Sequence, residues 1–234
     1  MSTLYSADIF AGSYVSKTAS EINSAMGGVY KHMSLAVLVS MIVSYFIGTN
    51  PALLNFFFTG MLKWVVIFAP LVAVIGIGFA LNSNPPKPIA TLLLYGFAAL
   101  MGLSFATIFA VYQMGSIFTA FMGAAILFGV MSFYGYFTKK SLDSLGKFMF
   151  VGLIAIILAS IVNIFIGSSV FSMVISSLAI IIFLGLTAYD TQKIREMIMY
   201  DNSDNVEIQG ALTLYIDFIN IFLSLLQLFG DKKE

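Results

Sequence analysis

Residues 210–229, GALTLYIDFINIFLSLLQLF, place one carboxylate in the middle of an otherwise apolar run. About 20 apolar residues at 1.5 Å each match the roughly 30 Å hydrocarbon core of a bilayer, so the run predicts a membrane-spanning helix. Polar side chains at steps of four, three, four and three residues share one face of this helix: Thr213, Asp217, Asn220, Ser224 and Gln227. A central Asp costs about 2.5–3.5 kcal/mol in lipid, so this face must lie against protein or water.

Composition extends the membrane interpretation to the whole chain. Of its 234 residues, 60% are hydrophobic and 9% are charged, against roughly 25% charged residues in soluble domains. The 11 basic and 11 acidic residues balance, which gives no electrostatic basis for binding nucleic acid. The absence of cysteine excludes disulfides, thiolate metal sites and cysteine nucleophiles.

Seven apolar runs are long enough to cross a bilayer, which predicts an all-α membrane protein with a seven-transmembrane-helix bundle. The runs cover about residues 29–48, 64–82, 89–112, 116–137, 148–166, 171–190 and 210–229, and the sixth is followed through residue 197 by a stretch in which apolar character gives way to charge. The segment NSNPPKP at 82–88 excludes a continuous helix between the second and third runs. We therefore divide the chain into a polar N-terminal tail (1–28), a transmembrane domain (29–230) and a C-terminal tail (231–234).

The apolar runs predict a protein integral to the cell (inner or plasma) membrane, and the distribution of Lys and Arg predicts that its N-terminus is cytoplasmic. In that orientation eight basic residues lie inside: Lys17, Lys31, Lys87, Lys139, Lys140, Lys147, Lys193 and Arg195. Three lie outside: Lys63, Lys232 and Lys233. A re-entrant last segment would also satisfy this bias, because it would return Lys232 and Lys233 to the inside.

Asp190 and Asp217 are the only acidic residues within the predicted spans. The topology puts Asp190 at the cytoplasmic end of the sixth span and Asp217 about a third to half of the membrane deeper. No Lys or Arg lies deep enough in a span to neutralise either carboxylate. Buried carboxylates without a cationic partner hold a proton, hold a metal cation, or share one proton between them.

Three interpretations of the two aspartates follow from the residues alone. In the first they serve cation passage: ionisation of one opposes ionisation of the other, so protonation would switch the site. Oxygen ligands suit Ca²⁺, and Asp190, Asp217 and Asn220 with backbone carbonyls would supply several of the roughly 6–8 it prefers, as a transient metal site. In the second the pair activates water for intramembrane proteolysis. In the third both carboxyl groups are neutral packing elements.

The proteolytic alternative has partial support in sequence. Tyr189 and Asp190 resemble the YD pair of presenilin-like proteases. The second aspartate of those proteases sits in GxGD, whereas Asp217 sits in LYIDF, and no Pro-Ala-Leu motif follows it. The sequence also has no HExxH, no P-loop and no dinucleotide fingerprint. We therefore predict that the protein is not an enzyme and has no cofactor.

Two segments of the chain resemble a known family. LTAYDTQKI (186–194) and GALTLYIDFINIFLSLLQLFG (210–230) are similar to the signature of the Bax inhibitor-1, or transmembrane Bax inhibitor motif, family. SFYGYFTKKSL (132–142) resembles its bacterial YccA/YbhL-like branch. The resemblance implies a seven-helix bundle with the last helix central, and a pH-sensitive Ca²⁺ leak controlled by two aspartates.

The resemblance also implies roles for particular residues. The family's aspartate pair falls on Asp190 and Asp217, which implies a pH sensor and gate, with Asn220, Thr213, Ser224 and Tyr189 as supporting polar groups. Family members carry basic residues at the end of the second helix that engage the pair, and here Lys87 is the nearest substitute. Some bacterial relatives are associated with a membrane-bound ATP-dependent protease, so a regulatory role with that partner, contacted through residues 1–28, is the alternative. Apart from the lipid bilayer and this protease the sequence points to no partner, and it leaves the oligomeric state open.

Overall fold

The computed structural model describes residues 17–200, 203 and 205–233, so most of the predicted N-terminal tail lies outside the described residues. The described part is built from helices, with no β-strand, and seven of its helices are long and apolar enough to cross a membrane. The helices are α1 Ala19–Gly48, α2 Pro51–Phe58, α3 Leu62–Asn82, α4 Lys87–Ser104, α5 Ala106–Val111, α6 Met114–Phe137, α7 Asp143–Ile166, α8 Ser169–Tyr200 and α9 Val206–Phe229. The predicted all-α membrane bundle with seven spans is confirmed.

α1 begins at Ala19, ten residues before the predicted start of the first span. Thr18 and Glu21 form a capping box in which Thr18 N–H donates to Glu21 Oε2 at 2.7 Å and Glu21 N–H donates to Thr18 Oγ1 at 3.3 Å. These bonds satisfy backbone donors that the first turn of a helix leaves free. The three-residue spacing of Thr18 and Glu21 is a helix start signal that hydropathy alone does not detect.

Two further differences concern helix boundaries outside the membrane core. Residues 51–58, predicted as part of a loop, form α2, because Asn50 Oδ1 accepts from Ala52 N–H at 3.0 Å and Pro51 occupies the first turn. The third span is interrupted at Phe105, which separates α4 from α5. Neither change alters the number of crossings.

The third span carries small residues at every fourth position, among them Ala98, Gly102 and Ala106, and this ridge packs against α1. Ala98 and Ala106 are fully buried, and a Cβ added at Gly102 would lie 2.5 Å from the carbonyl oxygen of Ser40. Small residues at such a contact let two helix backbones approach closely. α3 packs on the outside of α4, and α7 packs on the outside of α8.

α9 crosses the whole bundle. Beside its start, Asn205 donates to the turn between α3 and α4, and after its end Gln113 N–H donates to the Asp231 carbonyl oxygen at 3.0 Å. The α3–α4 turn and residue 113 flank opposite ends of the 87–111 span, so the two ends of α9 lie at opposite ends of the bundle. A re-entrant last segment is therefore excluded.

α9 has the largest buried share among the seven long helices, 61% of its apolar window against 39% for α8. It packs mainly against α1, α6 and α8 and barely touches α4. One stripe of α9 stays half-buried, at steps of four and three residues: Gln209, Thr213, Ile216, Asn220 and Leu223. The open stripe shares only Thr213 and Asn220 with the polar face predicted from sequence, because Asp217 is buried, and Leu214 and Ile221 are fully buried.

Candidate functional site

Asp190 of α8 and Asp217 of α9 lie side by side, with their carboxyl groups within hydrogen-bonding reach of each other. Asp190 is ten residues before the end of α8 at Tyr200, and Asp217 is eleven residues after the start of α9 at Val206. At 1.5 Å per residue both lie about 15–17 Å from the same end of the bundle.

The predicted offset in depth between the two aspartates is therefore wrong. The sequence expectation ended the sixth span near Asp190, where charged residues begin. α8 instead continues through that charged stretch to Tyr200, which carries Asp190 well into the bundle. Because α8 and α9 run in opposite directions, two residues equally far from their connection meet at the same level.

The closeness of the two carboxyl groups couples their ionisation, because a charge on one opposes a charge on the other. An ionised carboxylate only accepts hydrogen bonds, so a bond between two carboxyl groups requires a proton on one of them. Asp217 is 3% exposed and its Oδ2 has no hydrogen-bond partner. Within residues 17–200, 203 and 205–233, neither aspartate forms an ion pair. The site thus pairs the half-buried Asp190 with the buried Asp217, of which one carboxyl oxygen has no protein partner.

The supporting polar residues are arranged along α9 rather than around the pair. Thr213 Oγ1 donates to the Gln209 carbonyl oxygen at 3.1 Å, and Asn220 Nδ2 donates to the Ile216 carbonyl oxygen at 2.8 Å. Both side chains therefore use a donor on the carbonyl oxygen one turn earlier in α9. In the described part of the chain no group of three acidic or histidine side chains is close enough to hold a metal ion.

Three other predicted residues lie away from the carboxyl pair or contribute packing. The Tyr189 ring packs against Gly146 of α7, so it supports the α7–α8 contact. Ser224 is buried in α9, and Ser176 Oγ of α8 donates to Gln227 Oε1 at 2.8 Å. The structure brings Asp190 and Asp217 together and leaves Tyr189 on another face of α8.

Lys87 does not engage the aspartates. Its Nζ lies 3.0 Å from Glu207 Oε2, in the first turn of α9 and ten residues before Asp217. Nearby, the fully buried Asn205 donates through Nδ2 to Asn84 Oδ1 at 2.9 Å and to the Pro85 carbonyl oxygen at 2.6 Å. This end of α9 is therefore attached to the α3–α4 turn by amide hydrogen bonds and one partly exposed ion pair.

We predict that Asn205→Ala destabilises the protein much more than Lys87→Ala. The first change removes two hydrogen bonds made by a fully buried side chain, each worth about 0.5–1.5 kcal/mol. The second removes an exposed ion pair worth about 0–1 kcal/mol. Thermal unfolding in detergent measures both, and an Asn205→Ala protein as stable as Lys87→Ala would show that this attachment is dispensable.

A chain of hydroxyl groups beside the pair was not predicted from sequence. Tyr30 Oη of α1 lies 2.6 Å from Ser132 Oγ of α6, which lies 3.0 Å from Thr191 Oγ1 of α8. One turn further, Arg195 Nη1 donates to the Tyr136 carbonyl oxygen at 3.2 Å, and the guanidinium carbon lies 5.2 Å from the centre of the Tyr136 ring. The four-residue spacing of Thr191 and Arg195 places both on one face of α8, which is the only local signal of this arrangement.

Comparison with known proteins agrees with the fold and with the two signature segments. The family model described as "Inhibitor of apoptosis-promoting Bax1" matches residues 22–234. The inner membrane protein YbhL of Escherichia coli K12 is 35% identical over 218 residues, covering 91% of this chain and 93% of YbhL.

Two more relatives extend this similarity to other bacteria. The uncharacterized protein RP147 of Rickettsia prowazekii is 37% identical over 216 residues, covering 88% of this chain and 89% of the relative. An uncharacterized membrane protein of Streptococcus pyogenes is 34% identical over 218 residues, covering 89% of this chain and 93% of the relative. With a match across nearly all of its length and seven membrane-spanning helices, the chain belongs to the Bax inhibitor-1 family of multi-pass membrane proteins.

Proposed function

We propose that the protein is a pH-sensitive cation leak channel for Ca²⁺ in which Asp190 and Asp217 form the gate. The observation that carries this proposal is the contact between the two carboxyl groups inside the spans, with Asp217 Oδ2 unpartnered. Burying an acidic group within a membrane costs free energy, and such groups mark the pathways of ions or protons. Carboxylate and amide oxygens are the ligands that a hard cation such as Ca²⁺ prefers.

The half-buried stripe of α9 supports a route for the ion past the pair. Thr213 lies one turn before Asp217 and Asn220 lies about one turn after it, so polar oxygens occur on both sides of the gate. α4 makes little contact with α9, and Gln209 at one end of the stripe donates to the Leu81 carbonyl oxygen of α3 at 3.1 Å. A movement of α3 and α4 away from α9 would therefore widen a polar crevice without breaking the apolar core against α1 and α6.

The shared proton gives the proposed channel its pH sensitivity. A cation that binds between the carboxylates must displace that proton, because both occupy the same oxygens. Removing the proton without a cation leaves two negative charges in contact, which favours a wider spacing of α8 and α9. Proton concentration thus sets both the occupancy of the site and the geometry of the gate.

Flux through purified protein tests this function. Proteoliposomes loaded with a Ca²⁺-sensitive dye should show protein-dependent Ca²⁺ entry whose rate changes between about pH 5 and about pH 8. Empty liposomes are the control for lipid leakage. Entry no faster than in empty liposomes across that range would refute the channel.

We predict that water reaches the open stripe of α9 but not its other faces. The native chain has no cysteine, so any labelling of a single-cysteine variant comes from the introduced residue. Thr213→Cys and Asn220→Cys should react with a charged, water-soluble thiol reagent, whereas Leu214→Cys and Ile221→Cys, both fully buried in the protein, should not. Equal protection of all four positions would mean that the stripe is not hydrated. Ready modification of Leu214→Cys or Ile221→Cys by a lipid-phase reagent would show a peripheral helix.

We further propose that the N-terminus is cytoplasmic, on the basis of the eight-to-three basic bias. Because α9 crosses fully, the C-terminus would then lie on the opposite side. A reporter enzyme that is active only in the cytoplasm should be inactive when it is fused after Lys233 and active when it is fused after Lys140. An active reporter at both places would contradict this topology.

A regulatory role with a membrane-bound ATP-dependent protease is the alternative, and it rests on the family resemblance. Its test needs a deletion that leaves the bundle intact. Removal of residues 2–16 retains the capping box at Thr18 and all of α1. Loss of protease association with unchanged Ca²⁺ flux would assign partner binding to the tail. If the deletion changes neither the association nor the flux, the tail takes part in neither function.

A further inference from the structure

A lateral cleft of about 610 Å³ opens between α1 and α6 in the half of the bundle that contains the end of α1. Its walls are apolar and largely aromatic, and its floor is the side of α9 that carries Phe218, Ile219 and Phe222. The rim includes Phe46 and Phe118, each 66% exposed, on the surface that faces the hydrocarbon of the membrane. The cleft has the size and apolar character of sites that hold small hydrophobic molecules, roughly 300–1,000 Å³.

One polar atom in the cleft has no partner. Ser44 is 3% exposed, lines the cleft, and its hydroxyl forms no hydrogen bond with protein. The neighbouring Ser40 differs, because its hydroxyl lies 2.7 Å from both the Ala98 carbonyl oxygen and Tyr215 Oη. A buried hydroxyl without a partner is unfavourable, so Ser44 indicates an acceptor that comes from outside the chain.

The depth of Ser44 identifies the acceptor. Ser44 is four residues before the end of α1 at Gly48, hence about 6 Å along the axis from the helix end. The polar border of a bilayer occupies about 5–8 Å on each side of its hydrocarbon core. A glycerol ester carbonyl at the edge of the hydrocarbon core can therefore meet the Ser44 hydroxyl, while the acyl chain attached to it continues toward Phe222 and Phe218.

We propose that this cleft binds one acyl chain of a membrane glycerolipid, with the ester carbonyl accepting a hydrogen bond from Ser44. The chain packs against the face of α9 opposite its open stripe. It also fills the gap that α1 and α6 leave between them. The site is independent of the proposed ion flux, since neither aspartate lines it.

Fluorescence quenching by brominated lipid tests the site directly. Trp64 is the only tryptophan, so Trp64→Phe gives a protein without tryptophan fluorescence into which single tryptophans can be placed. Phe222→Trp, in the cleft, and Phe97→Trp, buried elsewhere, form a matched pair with 9% and 3% exposure of the native side chains. In liposomes of phosphatidylcholine brominated on the acyl chains, Phe222→Trp should be quenched nearly as much as the lipid-facing Phe165→Trp, and Phe97→Trp only weakly.

Quenching of Phe222→Trp as weak as that of Phe97→Trp would overturn the proposal. If Phe222→Trp does not fold, Phe121→Trp reports from the same cleft with the same expectation. Native mass spectrometry gives a second measurement: Ser44→Ala should retain bound phospholipid about threefold to tenfold less well, and Ser44→Thr close to wild type. An oxidative cross-link between two copies of Phe118→Cys in lipid would show that a second chain covers the cleft instead, which also overturns it.

Discussion

Asp217→Asn is expected to abolish the pH dependence of Ca²⁺ flux. At a separation of about 4 Å two ionised carboxylates repel by about 4 kcal/mol at an effective dielectric constant of 20, and each 1.4 kcal/mol is a factor of ten in an equilibrium. We therefore expect wild-type rates at about pH 5 and about pH 8 to differ by at least about tenfold. The neutral amide neither shares a proton with Asp190 nor repels its ionised form, so the variant should show rates within about twofold of each other.

Asp190→Asn should have the same effect, because either change removes the shared proton and the repulsion together. The double variant should then add little to either single variant, as expected for two groups that act as one unit. Asp143→Asn, at an exposed position of the first turn of α7, is the matched control and should retain the wild-type profile. Fully additive effects of the two substitutions would mean that the aspartates act separately, and a pH-independent wild type would remove the gate altogether.

Gly135→Ala is expected to cause the largest loss of stability from the addition of a single methyl group. A Cβ at Gly135 of α6 would overlap the backbone carbonyl of Ala188 in α8, and neither backbone can move without separating the two helices. Overpacking of this kind costs about 1–3 kcal/mol, and at roughly 2–4 °C per kcal/mol the melting temperature should fall by about 2–12 °C.

Gly129→Ala is the control for this prediction, because it lies in the same helix and an added Cβ meets no other atom within 4 Å. Gly129→Ala should leave the melting temperature unchanged or raise it slightly, because the higher helix propensity of Ala stabilises the helix by up to about 1 kcal/mol. Thermal unfolding of both variants in the same detergent decides between them. Equal melting temperatures would show that α6 and α8 are less tightly packed than the structure has them.

The sequence predicted the number of crossings, the α-helical class and the two aspartates. These follow from local properties: an apolar run of about 20 residues needs a helix to satisfy its backbone in lipid, and an acidic residue in such a run is conspicuous. The same local reasoning missed the start of α1 and the length of α8. Capping at Thr18 and the amphipathic stretch after Asp190 extend helices beyond the apolar runs.

Only the tertiary structure decided which groups meet. The sequence placed Asp190 and Asp217 at different depths, and antiparallel packing of α8 and α9 brings them to one level. The sequence predicted Lys87 as a cation near the two aspartates, whereas in the structure Lys87 forms an ion pair with Glu207. It contained no sign of the cleft between α1 and α6. Contacts between helices depend on their relative rotation and spacing, which residues distant along the chain set jointly, so a single helical pattern determines a face but not what covers it.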